Sequence, residues 1–319
     1  MTREVRIMTE INGSWPVMLT PFQEDGSLDL ESLDRLVDWY EANGSTGLFA
    51  VCQSSEMHYL SLKERQELAR RTKQRAHIPV IAAVKGCKDL SEQKEEWAAM
   101  RETGVDAIVL LTNTLSGLEG GMREFQQNLD TALSILPEDL PLGLYECPVP
   151  FKRVLADEEL AYAAKTGRFR FLKDTCCDLP RILRRVSLLE GTPLRLFNAN
   201  STTLLESLQG GAAGFSGIMA NFAPDLCAWL CRFWDTWPEQ AKLVQNALSV
   251  SSRIEMLLYP ANAKDFLVGK KILRSCYSRS CDYRALNGLE RDEVSQLNGL
   301  LDFVRNQLLL QTARQEKVS

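Results

Sequence analysis

The sequence predicts an α/β protein, a (β/α)8 barrel followed by a C-terminal helical extension. Two observations carry this. Short apolar runs alternate with amphipathic stretches eight times between Trp15 and Met219, with short loops between them, as parallel strand–helix units require. From Pro224 onward the pattern turns purely helical. A third observation weighs against the alternative, a doubly wound open sheet: no Gly-x-Gly-x-x-Gly follows the first apolar run.

Each element has its own signals. Trp15–Thr20 reads as the first strand. The helix after it is opened by Asp29 and Ser32 and closes at Asn43-Gly44, a good C-cap pair. Gly47–Cys52 is the second strand. Its helix starts near Ser61, which forms a Ser-x-x-Glu capping box with Glu64. Pro79–Val84 is the third strand, and a helix from Ser91 to Thr103-Gly104 follows it. Ala107–Leu111 is the fourth. A long helix, about Glu119–Leu136, leads to the fifth, Pro141–Tyr145. A helix from Asp157 precedes the sixth, Phe169–Leu172, which ends on Lys173. A helix over Leu179–Glu190, stopped by Gly191, leads to the seventh, Leu194–Asn198. A helix closed by Gly210-Gly211 leads to the eighth, Gly214–Met219. Beyond a helix over Pro224–Trp237, helical periodicity covers Glu239–Leu258, Lys264–Ser275 and Arg291–Leu310, punctuated by Pro238 and Pro260. The apolar stripes of this extension (Leu243, Ala247, Ile254, Leu257; Leu297, Leu300, Leu301, Val304, Leu308) are expected to pack on the barrel. The domain reading is a barrel over 1–237 and a packed extension over 238–319, with a polar, frayed tail after Gln311.

Composition narrows the function. The 319 residues are 45% hydrophobic and 25% charged, ordinary for a globular protein. The net charge of -5 and the lack of a long basic run argue against nucleic acid or an anionic membrane as partner. No apolar run approaches the ~20 residues needed to span a bilayer, and the N-terminus lacks a secretory h-region. Nine cysteines show no Cys-x-x-Cys spacing and are joined only by His58 and His77, which disfavours a zinc site. Free thiols in a reducing cytoplasm are the expectation. No cofactor and no metal are expected.

The candidate chemistry sits at the ends of the fifth and sixth strands. A strand buried on both faces has little use for a lysine unless the ammonium lies at its end or does chemistry. Side chains alternate along a strand, so Lys173 shares a face with Phe171 and Tyr145 with Gly143. Consecutive barrel strands put both polar tips at the carboxyl-end mouth, where such barrels keep their active sites. A lysine amine beside a phenol points to Schiff-base chemistry, in which the amine attacks a ketone and the phenol moves protons. On this stretch alone a snorkelling lysine and a packed tyrosine would read the same way.

Five segments in order carry a resemblance. Val17-Met-Leu-Thr-Pro-Phe22, Cys52-Gln-Ser-Ser-Glu56, Tyr145-Glu-Cys-Pro148, Leu172-Lys-Asp-Thr-Cys-Cys-Asp178 and Gly210-Gly-Ala-Ala-Gly-Phe-Ser-Gly-Ile-Met-Ala-Asn221 fall at the first, second, fifth, sixth and eighth strands. Together they resemble the dihydrodipicolinate synthase / N-acetylneuraminate lyase family of pyruvate-type class I aldolases, over nearly the whole chain. The resemblance implies that Lys173 is the Schiff-base lysine and Tyr145 the proton-transferring phenol. It implies that Ser54 and Ser55 hold a 2-oxo acid carboxylate, and that Phe215 presents a backbone carbonyl to the substrate. It also implies a homodimer or homotetramer, for which the C-terminal stripes and Leu115 offer surfaces.

Five positions depart from the family pattern. The glycines of the second-strand motif are Cys52 and Ser55, and its first Thr/Ser is Gln53. Leu115 stands where the synthases carry a relay tyrosine that reaches across the dimer interface. Pro150 stands where they carry an arginine for aspartate semialdehyde, with Lys152 and Arg153 nearby but shifted. The expected function is a Schiff-base lyase or aldolase on pyruvate or another 2-oxo acid, with a neutral or sugar-like aldehyde partner. The alternatives are a true 4-hydroxy-tetrahydrodipicolinate synthase and a non-catalytic 2-oxo-acid-binding barrel.

Other polar residues read as structural. Glu56 is expected to be a hydrogen-bond partner, and Asp174 and Asp178 to anchor loops or cap a helix, since two carboxylates make no cation cage. His58 is a lone histidine, and His77 lies on the far side of the barrel. Cys147, Cys176 and Cys177 are near the site in sequence, but no histidine is placed to activate them.

Overall fold

A computed structural model describes residues 8, 11–87 and 89–315, with side chains to residue 309. Eight parallel strands form one sheet in the order β1-β8-β7-β6-β5-β4-β3-β2. They are β1 (Gly13–Ser14), β2 (Leu48–Val51), β3 (Val80–Ala83), β4 (Ala107–Leu111), β5 (Leu142–Tyr145), β6 (Phe169–Asp174), β7 (Arg195–Asn198) and β8 (Gly214–Phe215). The sheet closes on itself through the segment after β1. Val17 bridges Phe49 in parallel, Met18 N–H donates to the Phe49 carbonyl (3.0 Å), and Phe49 N–H donates to the Pro16 carbonyl (3.0 Å).

The first strand is therefore shorter and earlier than the expected Trp15–Thr20. Pro16 has no N–H, so the ladder breaks at that residue and resumes only as an isolated bridge. Close approach of β1 and β8 depends on glycine: a Cβ on Gly214 would lie 1.9 Å from the Gly13 carbonyl oxygen.

The helices follow their caps. Asp29 accepts from Ser32 N–H at the start of Leu30–Ala42, and Ser61 and Glu64 form a reciprocal capping box on Leu62–Arg75. After β4 the chain makes a short helix, Thr112–Leu115, before Met122–Ile135, where one long helix from Glu119 was expected. Helices Leu90–Arg101, Asp157–Lys165, Leu179–Leu188 and Leu204–Gln209 complete the outer ring. Aromatic rings fill the barrel. Phe171 and Phe197 have centroids 4.6 Å apart, and Trp15 lies 5.5 Å from Phe171.

The C-terminal helices are Pro224–Phe233, Pro238–Ser251, Ala261–Gly269 and Gly288–Gln315. Buried Leu248, Ile254, Leu267, Leu301 and Leu308 belong to the same core cluster as the barrel side chains. The buried face of Pro238–Ser251 is Ala241, Val244 and Leu248, one residue away from the expected Leu243 and Ala247, which are half-buried. Leu300 is exposed. The last helix runs to Gln315, four residues past the expected end of order at Gln311, and the tail beyond it lies outside the described residues. No helix among the described residues is long and apolar enough to cross a membrane.

A buried ion pair ties the extension to the barrel. Glu56, in the turn after β2, adopts a left-handed backbone (φ 59°), and its carboxylate accepts from Lys264 Nζ (2.5 Å) and from the Arg279 and Ser280 N–H groups (2.7 Å each). Both side chains of the pair are fully buried, so each needs the other.

Candidate active site

Tyr145 and Lys173 are register partners on adjacent strands β5 and β6. Period-two alternation carries Lys173 to the face of Phe171, which is inside the barrel. The Lys173 amine lies 4.4 Å from the Tyr145 ring centroid and 5.9 Å from that of Phe49. Lys173 is 5% exposed and Tyr145 2% exposed. Burial lowers the Lys173 pKa, against the opposing pull of Cys52, Cys147 and Glu255. Burial also holds Tyr145 well above the usual phenol value, helped by neighbouring Cys147 and Cys52. The Tyr145 hydroxyl and the Cys147 thiol form a hydrogen-bonded pair. The site thus joins an amine shifted toward its free form with a phenol that keeps its proton.

Charges beneath the site fix the strand ends. Fully buried Arg185 pairs with Glu146 (2.8 Å) and with Asp174. Glu146 also accepts the N–H groups of Leu155 and Thr175 (2.9 Å each), which ties the loops after β5 and β6 together. Asp174 accepts Cys176 N–H (2.9 Å), and Asp178 caps the next helix by accepting Arg181 N–H (3.0 Å).

The loop after β2 differs in part from expectation. Ser54 is buried at the mouth, and its hydroxyl hydrogen-bonds Tyr259. Ser55 is turned inward instead. Its hydroxyl donates to the Cys52 carbonyl (2.7 Å) and accepts Cys52 N–H (2.6 Å), while its own carbonyl accepts Thr20 Oγ1 (2.6 Å). A serine in a glycine's place is accommodated by closing the turn on itself. The Ser55 N–H donates to the Cys52 carbonyl (3.2 Å), which closes the turn further. The Phe215 carbonyl is likewise engaged, accepting Trp15 N–H (2.8 Å) in the closure of the barrel. Of the five residues singled out, Lys173 and Tyr145 are in direct contact. Ser54 is buried beside Tyr259, and the Ser55 hydroxyl and the Phe215 carbonyl each hold an internal hydrogen bond.

Arg153 and Leu115 are also scaffold residues. Arg153 is buried in a two-pronged pair with Glu159 (2.5 and 3.1 Å), and it donates to the Gly117 and Gly120 carbonyls (3.2 and 3.3 Å). Its guanidinium is used up holding the β4 and β5 loops. Lys152 is exposed. Leu115 is 4% exposed and lines a side pocket with Val84, Trp97 and Leu110, so it offers no surface to another subunit, contrary to expectation. His77 bonds Glu41 (3.0 Å) at the entry to β3, and burial lowers the pKa of His58 beside Arg65 and Lys85.

Two polar groups at the mouth come from the extension. The helix Pro238–Ser251 ends sooner than its periodicity implied, and a 3-10 turn, Ser252–Met256, follows it. Glu255 on that turn accepts Met219 N–H, and its charge acts on Lys173. Tyr259, past left-handed Leu258 (φ 43°), accepts Asn221 Nδ2 (3.0 Å) and meets Ser54. Sequence periodicity placed Ile254 and Leu257 in an apolar stripe and gave no signal for either polar residue. A switch from 3.6 to three residues per turn redirects Glu255, and the left-handed Leu258 redirects Tyr259; only the fold shows either.

A parallel barrel that buries a lysine against a phenol at its carboxyl end defines a class of enzymes, the lyases of class I aldolase type. The chain belongs to the dihydrodipicolinate synthetase family, whose model matches residues 10–257. It is 28% identical over 250 residues to a 4-hydroxy-tetrahydrodipicolinate synthase of Gluconacetobacter diazotrophicus, covering 77% of this chain and 80% of that one. It is 31% identical over 225 residues to the synthase of that name from Cereibacter sphaeroides, covering 68% and 73%. Its fold matches the Acinetobacter baumannii dihydrodipicolinate synthase complexed with pyruvate, with a TM-score of 0.80, 23% identity, and 92% and 99% of the two chains covered. A monomeric dihydrodipicolinate synthase variant matches with a TM-score of 0.82 at 20% identity, covering 92% and 97%.

Proposed function

We propose that the protein is a Schiff-base-forming lyase or aldolase that acts on pyruvate or a related 2-oxo acid, with a neutral or polyhydroxylated aldehyde portion. One observation carries the reading: the buried Lys173 amine, 4.4 Å from the Tyr145 ring on the adjacent strand. An unperturbed lysine is almost wholly protonated at neutral pH, and burial of Lys173 shifts it toward the attacking free amine. The amine adds to the ketone carbon, giving a carbinolamine. Tyr145, which can donate and accept at once, passes the protons that let water leave and, later, those of the aldol hydroxyl. The iminium left on Lys173 draws electrons from the adjacent carbon. Ser54, beside Tyr259, is the polar group proposed to meet the carboxylate. Trapping of the imine by borohydride tests the reading.

Aspartate semialdehyde is a poor fit as the partner. A distal carboxylate needs a well-placed cation, and Arg153 is committed to Glu159 and two carbonyls. With pyruvate plus aspartate semialdehyde, kcat/KM is expected to fall well below the usual enzyme range of about 10⁴–10⁸ M⁻¹s⁻¹. A value within that range, lost on Arg153→Ala, would make this chain a synthase.

The assembly proposed is a homodimer or homotetramer. Phe303 (57% exposed), Leu300 (44%) and Met256 (71%) leave apolar surface on the extension. Light scattering at micromolar concentration should give a mass of two or four chains, and a strictly monomeric mass would refute it.

A further inference from the structure

Each residue of the imine-forming pair is followed at once by a buried carboxylate, Glu146 after Tyr145 and Asp174 after Lys173. Side chains alternate along a strand, so Tyr145 and Lys173 point into the barrel and the two carboxylates face the other way. There Arg185, on the helix Leu179–Leu188, meets both. Its guanidinium pairs with Glu146 (2.8 Å) and with Asp174, and it donates to the Leu155 carbonyl (2.5 Å). All three charged side chains are fully buried. The Glu146 carboxylate also accepts Leu155 N–H on one oxygen and Thr175 N–H on the other (2.9 Å each). Asp174 holds Cys176 N–H with its carboxylate (2.9 Å) and Ala199 N–H with its carbonyl (3.0 Å).

These bonds take over where the backbone ladder ends. Past the register pair Tyr145–Lys173, the last backbone bond between β5 and β6 is long, from Glu146 N–H to the Lys173 carbonyl (3.3 Å). Cys147 N–H then turns back to the Tyr145 carbonyl (2.9 Å). Side chains carry the pairing one step further: Thr175 Oγ1 donates to the Glu146 carbonyl (2.8 Å), and Thr175 N–H reaches the Glu146 carboxylate. Stability alone is a poor reason for such a set. Three buried charges must all be desolvated, and apolar side chains of similar volume often serve a core as well or better. The second carboxylate adds to the cost: burial raises the Glu146 pKa, Arg185 opposes the rise and Asp174 adds to it. What a planar guanidinium between two carboxylates does supply is a fixed direction and distance.

We propose that Arg185, with Glu146 and Asp174, positions the reacting pair: the three hold the Tyr145 phenol against the Lys173 amine at the spacing that proton transfer during imine formation needs. The role rests on the Schiff-base reading above. All three lie behind the strands and act through the peptide units that they share with Tyr145 and Lys173. The amine and the Tyr145 ring, 4.4 Å apart, sit on two strand ends that one guanidinium anchors from behind. A shift of either carboxylate moves the residue before it, and so changes that spacing. Catalysis is steep in such distances, and a misplacement of about 1 Å costs on the order of 10²-fold.

The test follows, in the full chain, the rate at which pyruvate forms a borohydride-trapped adduct on Lys173. Glu146→Gln and Asp174→Asn each leave Arg185 with one carboxylate, a neutral pair, and each brings an amide N–H₂ among groups that already donate. Either should form the adduct about 10²-fold more slowly and still reach the parent's final amount. Tyr145→Phe supplies the readout that a merely loosened core would not give. With the phenol gone its placement no longer matters, so adding Glu146→Gln to Tyr145→Phe should slow the reaction no further, a coupling between the two positions. A folded Glu146→Gln, judged by circular dichroism, that forms the adduct at the parent rate would overturn the proposal. So would an equal slowing by Glu146→Gln with and without the phenol, since the three charges would then serve the fold at large. If neither carboxylate variant folds, Arg185→Lys decides, because it keeps the charge and loses the fork. A slowing that disappears in Tyr145→Phe supports the role, and a parent rate refutes it. Failure of all three variants to fold would make the set a structural core and refute it as well. An unmodified protein that forms no adduct refutes the Schiff-base reading itself, before any of these variants is made.

Discussion

Borohydride added with pyruvate is expected to leave one reduced adduct per chain, mapped to Lys173 by mass spectrometry, and Lys173→Ala is expected to abolish it. Turnover should fall on the order of 10⁵–10⁶-fold, as when a covalent nucleophile is removed. The effect is so large because no other group at the mouth can replace a nitrogen nucleophile. The chain holds a second buried lysine with a lowered pKa, Lys264, which makes the experiment discriminating. Lys264 donates to Glu56 (2.5 Å) and to the Tyr277 carbonyl (2.8 Å), so its amine is held by two acceptors. Lys173 has aromatic neighbours instead, Tyr145 and Phe49. Burial without a tight carboxylate partner is the condition for a free amine. An adduct on Lys264, or none with any 2-oxo acid, would refute the mechanism. Lys173→Ala should keep the fold, since it removes a buried amine that no ion pair depends on.

The difference between these two lysines also shows what sequence reading reaches. Lys173 was legible because its setting is local. A strand of alternating side chains ends on it, and the neighbouring strand ends on a tyrosine, so barrel geometry alone brings the two together. The capping box of Ser61 and Glu64 was legible for the same reason, its partners being three residues apart. Lys264 and Glu56 are 208 residues apart, and nothing in either neighbourhood announces the pair. Arg153 and Glu159 lie close in sequence, yet their pairing depends on a loop path that no periodicity encodes. Pro16 was visible, and its missing N–H should have shortened the first strand. Ser55 and Phe215 were assigned by likeness to a motif. Ser55 stands where the motif has glycine, and its hydroxyl found an internal partner that glycine lacks. Glu255 was hidden because the winding changes from α to 3-10 at Ser252, and Tyr259 because it follows the left-handed residue Leu258.

Tyr145→Phe should separate proton transfer from nucleophilic attack. The ring should stay in place, because Phe49 (5.6 Å between centroids) and the Lys173 amine (4.4 Å) still lie against it. The loss in the fold is one hydrogen bond to a thiol, worth at most about 0.5–1.5 kcal/mol. The loss in catalysis should be greater, roughly 10²–10⁴-fold in the rate at which pyruvate forms a trappable imine. Carbinolamine dehydration needs a donor at the oxygen that leaves. Tyr145 is suited to it as a neutral phenol, since burial and the neighbouring thiols hold its pKa well above the usual value. It follows that Tyr145 adds no titration near neutrality, and the pH dependence of imine formation should be the same in Tyr145→Phe as in the parent. The amount of adduct at long times should match the parent too, because a proton relay changes the rate and leaves the equilibrium alone. Quenching pyruvate mixtures with borohydride at increasing times measures both. An unchanged rate would exclude Tyr145 from the chemistry, and a lower final adduct with an unchanged rate would make it a packing residue for the bound imine.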